Sequence, residues 1–269
     1  MDEAQDIIRF ARLAEAMEPW LDQVVIIGGW AHRLYWLHPK AQTPGHAPLM
    51  TLDADVAVPA RLSFQEEDVR TRLLARGFKE EFLGDDRPPA THYRVDGQTG
   101  AFYAEFLTPL VGGPHDRKGR PKATVEIAGI SAQQLRHLGL LLRAPWSVMF
   151  DAGGFSCRVQ VANPTAFLAQ KVLIHSKRKP DDRAKDILYA YDTLDLFGSR
   201  LADLRDEWTT QVRPQLSHRA AAEVMGTSHR LFGRVSDDIR RAALVPADRK
   251  LAPEAVAAAC RAGFDAIFG

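Results

Sequence analysis

One short stretch constrains this chain more than any other. Val24-Val25-Ile26-Ile27, a β-branched run, ends in Gly28-Gly29, and Thr51-Leu52-Asp53-Ala54-Asp55-Val56 follows after a helix and a loop. The first run reads as a buried strand closed by a tight turn. Residues 30–37 read as a helix with Trp30, Leu34 and Leu37 on one face, and the Pro/Gly-rich residues 38–50 as a loop. Thr51 to Val58 alternates: Leu52, Ala54, Val56 and Val58 face one way, Thr51, Asp53, Asp55 and Ala57 the other.

The two aspartates therefore share a face, about 6.7 Å apart along the strand. At an effective dielectric of ~20, two unit charges at that separation repel by about 2.5 kcal/mol. The opposite face is apolar, so the strand belongs to a core sheet, and its two acids call for a compensating cation. Mg²⁺, a hard ion that prefers oxygen ligands and keeps company with phosphates, suits them, with Mn²⁺ as the alternative. The Gly28-Gly29 turn adds backbone N–H groups at the positive end of a helix, where a phosphate binds well. Acids for a metal beside a cradle for phosphate point to phosphoryl or nucleotidyl transfer. A dinucleotide site is disfavoured, because Trp30 and Arg33 stand where its glycine fingerprint needs Gly.

Elsewhere the pattern gives an N-terminal helix over 4–18, a helix over 63–76 and a loop over 83–91. Strands are expected at 93–95 and 102–107, joined by a turn at Asp96-Gly97, and at 123–127 and 156–161. From Pro164 onward the periodicity is helical: 165–178, 181–196, 199–215, 217–242 and 253–267. Mixed elements followed by helices predict an α+β fold, with an α/β core over 1–162 and a helical C-terminal domain over 163–269. With 35 Lys+Arg against 34 Asp+Glu, the net charge of +1 gives no global pull toward nucleic acid or membrane. Cys157 and Cys260 form no CxxC pair, no apolar run is long enough to span a bilayer, and residues 1–6 are acidic, unlike a signal peptide. A cytoplasmic protein is the expectation.

The segments "VVIIGGWAHRLYWL" and "TLDADVAV" resemble the signature of the DNA polymerase β-like nucleotidyltransferase superfamily, where Gly-Gly or Gly-Ser precedes an Asp-x-Asp strand. They are most similar to the branch of abortive-infection type nucleotidyltransferase toxins. In that branch Gly-Gly-x-Ala-Leu is followed by Ser/Thr-x-Asp-x-Asp, with Thr51 in the Ser/Thr place. The helical run "PTAFLAQKVLIHSKRKPDDRAKDILYAYDTL" resembles a further motif of the branch, and the resemblance covers roughly 24–196. The interval from the glycines to Asp53 is longer than the superfamily's usual one, and the loop at 38–50 absorbs the excess.

The resemblance implies a mixed sheet with flanking helices and attack by an acceptor hydroxyl on the α-phosphate of a nucleoside triphosphate. It implies metal-binding roles for Asp53 and Asp55, and phosphate-seating roles for Gly28, Gly29 and Thr51. A third carboxylate from a neighbouring strand is also implied. Glu105, the acid in "AFYAEFLTPL", is the leading candidate and Glu126 in "ATVEIAGI" its competitor. Lys171 is expected to neutralise the triphosphate, with Asp186 orienting it. The acceptor implied is RNA, particularly a tRNA 3′ end, and an antitoxin protein is the implied partner. Two rivals follow from the same residues: a nucleotide-binding member without turnover, and a sugar transferase whose Asp-x-Asp holds a nucleotide-sugar. His115-Asp116, in a Gly/Pro loop without companion histidines, reads as a chance pairing. Neither a His-Glu-x-x-His helix nor a Gly-x-Ser-x-Gly elbow occurs in the sequence, which argues against a zinc protease or an α/β-hydrolase.

Overall fold

The computed structural model describes residues 3–95, 102–115 and 118–269. The chain divides into two compact units, residues up to 37 with 50–162, and residues 38–49 with 163–269.

The first unit is a mixed sheet with flanking helices. Its elements are α1 (Glu3–Met17), β1 (Val25–Ile27), α2 (Gly28–Tyr35), β2 (Asp53–Ala57), α3 (Val69–Ala75), β3 (Phe78–Leu83) and β4 (Ala90–Val95). They continue with β5 (Tyr103–Pro109), β6 (Thr124–Ile127), β7 (Ile130–Leu135), α4 (Leu138–Leu141), β8 (Trp146–Ala152) and β9 (Phe155–Val161). Among the described residues nine strands form one sheet in the order β3-β4-β5-β2-β1-β9-β8, with β7 joining β5 to β6. β1 is antiparallel to β2 but parallel to β9, and β2 is parallel to β5.

Alternation explains the central strands. Ala54 and Val56 of β2 and Ala104 and Phe106 of β5 are buried, while Asp53, Asp55, Tyr103 and Glu105 on the opposite face keep partial exposure. The apolar side is closed by aromatic rings. Trp30 of α2 stacks on Phe10 of α1 at 4.2 Å, and the edges of Phe102 and Phe150 complete the cluster. Burying each such ring contributes about 1.5–3 kcal/mol, so α2, and the glycine turn at its start, are held firmly against the sheet.

The second unit is helical: α5 (Pro164–Ile174), α6 (Pro180–Leu196), α7 (Leu201–Glu207), α8 (His218–Phe232), α9 (Asp237–Leu244) and α10 (Pro253–Phe268). Asn163 caps α5 by accepting from the Thr165 amide at 2.9 Å. Every residue from Pro164 to Leu173 is buried, which makes α5 the central helix of the unit. Residues 38–49 hydrogen-bond here: the Gln42 amide donates to the Leu196 carbonyl at 2.9 Å, and Lys40 Nζ pairs with Glu207 at the same distance.

Several boundaries differ from the sequence reading. The helix expected over 63–76 spans only Val69–Ala75, because the Asp68 side chain caps its amides at Thr71. The helix expected over 217–242 is two, α8 and α9, the second capped by Ser236. That over 199–215 is α7 followed by a wide turn at Trp208–Val212. β3, β7 and β8 are strands the sequence reading leaves unassigned, and β3 and β4 narrow the loop expected over 83–91 to residues 84–89. The turn at Asp96-Gly97 and Asp116 of the His115-Asp116 pair lie outside the described residues. Among the described residues no helix is long and apolar enough to cross a membrane, and Cys157 and Cys260 are both free thiols.

Candidate active site

The site is built where β1 ends. Gly28 has φ +64°, and a Cβ there would overlap Asp55 Oδ2. Glycine is thus required twice, by the left-handed backbone and by the approach of a carboxylate. The approach follows from register, since Ile27 lies opposite Asp55 across the β1–β2 pair. Gly29 is buried in the first turn of α2, and Ile27, at the cap position, supplies no side-chain acceptor for the turn's amides. The start of α2 is thus the positive end of a helix with no side-chain acceptor from its cap residue.

β2 and β5 bring the acids together. Their parallel register sets Asp53 beside Tyr103 and Asp55 beside Glu105, at the ~4.8 Å spacing of neighbouring strands. The Thr51 hydroxyl donates to Asp53 Oδ1, so Thr51 orients the first aspartate. Glu126 is elsewhere: it is exposed on β6, pairs in register with Ser131, and lines a separate cavity of about 720 Å³ with Asp68 and Thr71. Of the two competing glutamates, Glu105 is the one beside the aspartates.

Glu105 is closely held. Gln133 Nε2 donates to its Oε2 at 2.9 Å, and His92 Nε2 lies 3.5 Å from the same oxygen. Burial pushes the Glu105 carboxyl up, but hydrogen bonding with His92, Asp55 and Gln133 outweighs it, and the group is held below its ordinary value. Tyr103 stacks on His92 at 4.2 Å, and the Arg94 guanidinium lies 5.0 Å from the tyrosine ring centre. Burial, then the charges of Asp53, Glu105 and Asp55, push the Tyr103 phenol up, against the opposing pull of Arg94. One phenol thus feels all three carboxylates, which marks a common face.

Among the described residues no three ligand side chains form a ready-made metal cluster. The donor set nevertheless suits a hard divalent ion: Asp55 and Glu105 are within hydrogen-bonding reach of each other, and Asp53 is on the same strand face. Gly28 leaves the backbone bare beside Asp55 Oδ2, where a side chain would intrude.

Lys171 and Asp186 belong to the helical unit. Lys171 Nζ lies 2.5 Å from Asp186 Oδ1, both are buried, and Arg178 Nε reaches Asp186 Oδ2 at 3.2 Å. The ammonium also lies 5.1 Å and 5.4 Å from the ring centres of Phe167 and Tyr189. Its charge is satisfied within its own unit.

His92, Tyr103 and Gln133 are the site residues that sequence reasoning missed. The one available signal is periodicity: in a strand over 90–95, His92 and Arg94 share a face. Nothing in the sequence pairs that face with Glu105.

The first unit is thus a mixed sheet with flanking helices that carries paired acids beside a glycine turn at a helix start. A family model described as nucleotidyltransferase matches residues 5–213, most of the chain, and the protein belongs to that nucleotidyltransferase family. Nucleotidyl transfer is the general activity that membership carries, with a nucleoside triphosphate as the general substrate and divalent ions in general use. The match supports the broad superfamily rather than the toxin branch, and no curated protein matches the sequence.

Proposed function

We propose that the protein moves a nucleoside monophosphate from a triphosphate to an acceptor hydroxyl, with Asp53, Asp55 and Glu105 as its site carboxylates. The observation that carries this reading is the meeting of Gly28, at the turn after β1, with Asp55 and Glu105 on the adjacent strands β2 and β5. The amides at the start of α2 would seat the β- and γ-phosphates. Thr51 would keep Asp53 aimed, and Asp53, Asp55 and Glu105 would hold Mg²⁺ or Mn²⁺. When bound, such an ion supplies positive charge against the triphosphate.

Glu105, kept ionised, would take the proton of the acceptor hydroxyl. The acceptor oxygen then bonds to the α-phosphorus as the bond to the β-phosphate oxygen breaks, and pyrophosphate leaves. Asp186 pairs with Lys171 and would orient it; that Lys171 neutralises the triphosphate rests on the quoted motif. The RNA acceptor, a tRNA 3′ end in particular, rests on the quoted motifs alone, as do a toxin role and an antitoxin partner.

The test is incubation with α-labelled triphosphates, Mg²⁺ and total RNA, using wild type beside Asp53→Asn and Asp55→Asn. Wild type is expected to leave label on an acceptor, and each variant to lose at least a hundredfold, within the range that removed electrostatic groups cost catalysis. Unlabelled acceptors with retained nucleotide binding would favour the silent rival. Heat released on binding a nucleotide-sugar, without polymer labelling, would favour the sugar transferase.

A further inference from the structure

We infer that His92 is a positioning residue for Glu105, pinning the carboxylate that faces the acceptor from a strand the acid pair does not occupy. The inference rests on the nucleotidyl-transfer reading and deepens it. A glutamate has three side-chain torsions, and left unpinned it would have to be ordered at every turnover. Here two side chains reach one of its oxygens from β4 and β7, which follow one another along the edge of β5 opposite β2. His92 on β4 lies 3.5 Å from Oε2, and Gln133 on β7 lies 2.9 Å from it. Oε1 is the oxygen that neither donor takes.

The imidazole is itself fixed. It stacks on Tyr103 at 4.2 Å with 22° between the planes, and its buried Nδ1, which makes no hydrogen bond among the described residues, lies 3.7 Å from Glu81 Oε2. Glu81 in turn accepts from Arg94 at 2.5 Å, and Arg94 lies over Tyr103. A neutral Nε2–H donor suffices for this role, so an amide of similar reach should replace it. Outer groups that orient ligating side chains typically change metal affinity or activity by 10–100-fold when removed.

The experiment uses the full chain with His92→Ala, His92→Gln and Gln133→Leu. Mn²⁺ binding, read from the spin resonance of the free ion in the presence of a non-hydrolysable triphosphate, is measured beside the rate of label transfer. His92→Ala is expected to weaken Mn²⁺ binding and lower kcat about tenfold each, with the triphosphate KM within about twofold. His92→Gln should recover to within about threefold of wild type. Gln133→Leu should move both readings in the direction of His92→Ala, and all three should melt close to wild type. His92→Ala with wild-type Mn²⁺ binding and rate would overturn the inference. So would equal losses in His92→Ala and His92→Gln accompanied by a lowered melting temperature, since that is the mark of packing alone. Wild type that binds Mn²⁺ yet labels no acceptor would count against the transfer reading, while the Mn²⁺ titration would still decide for or against His92.

Discussion

At the scale of single residues, Gly28 makes the strongest demand. Its positive φ costs a side-chain-bearing residue about 1–2 kcal/mol, and a Cβ would displace the Asp55 carboxylate as well. Gly28→Ala should therefore lower stability by about that amount while cutting transfer far more than the stability loss explains. Gly45→Ala is the control, because a Cβ there meets nothing within 4 Å. Urea unfolding and the labelling assay on both variants check this, and an active Gly28→Ala protein would contradict it. Asp53, Asp55 and Glu105 are readable from sequence because acids in otherwise apolar, alternating strands announce themselves. His92 and Gln133 are not, because they reach Glu105 only through the registers of β4 and β7 against β5.

Elements show where periodicity suffices. β2 has one apolar face and one polar face, so its alternation is clean, whereas β3 at the sheet edge and β7 with its run of glutamines have no such contrast. β8 did carry a signal. Trp146, Val148 and Phe150 alternate as buried residues, and Gly153-Gly154, both at positive φ, close a hairpin onto β9. Among the helices, the pair joining α5 to α6 yields an asymmetric expectation. Asp186→Ala strands the Lys171 ammonium between two aromatic rings, which should cost about 3–5 kcal/mol as an uncompensated buried charge. Lys171→Met leaves Asp186 with Arg178 and should cost distinctly less. Equal costs in urea unfolding would show that Arg178 does not compensate.

On the scale of the whole molecule, the order of elements predicts α+β with a helical end, and the structure has that form. The chain crosses between its two units more than once. Residues 38–49, between the glycine turn and the aspartate strand, belong by their contacts to the helical unit. Nothing local in a Pro/Gly-rich loop reports such a destination, since its anchors are single bonds to distant helices. The family match, by contrast, runs through both units to residue 213. The central claim is that the acids of β2 and β5, gathered beside the Gly28 turn, serve transfer of a nucleotidyl group. The most direct measurement supplies the same triphosphate labelled at the α-phosphate in one reaction and at the γ-phosphate in another. The expected result is α-label on the acceptor and γ-label released as pyrophosphate, with both lost in Asp55→Asn. γ-label on the acceptor, or transfer undiminished in Asp55→Asn, would contradict it.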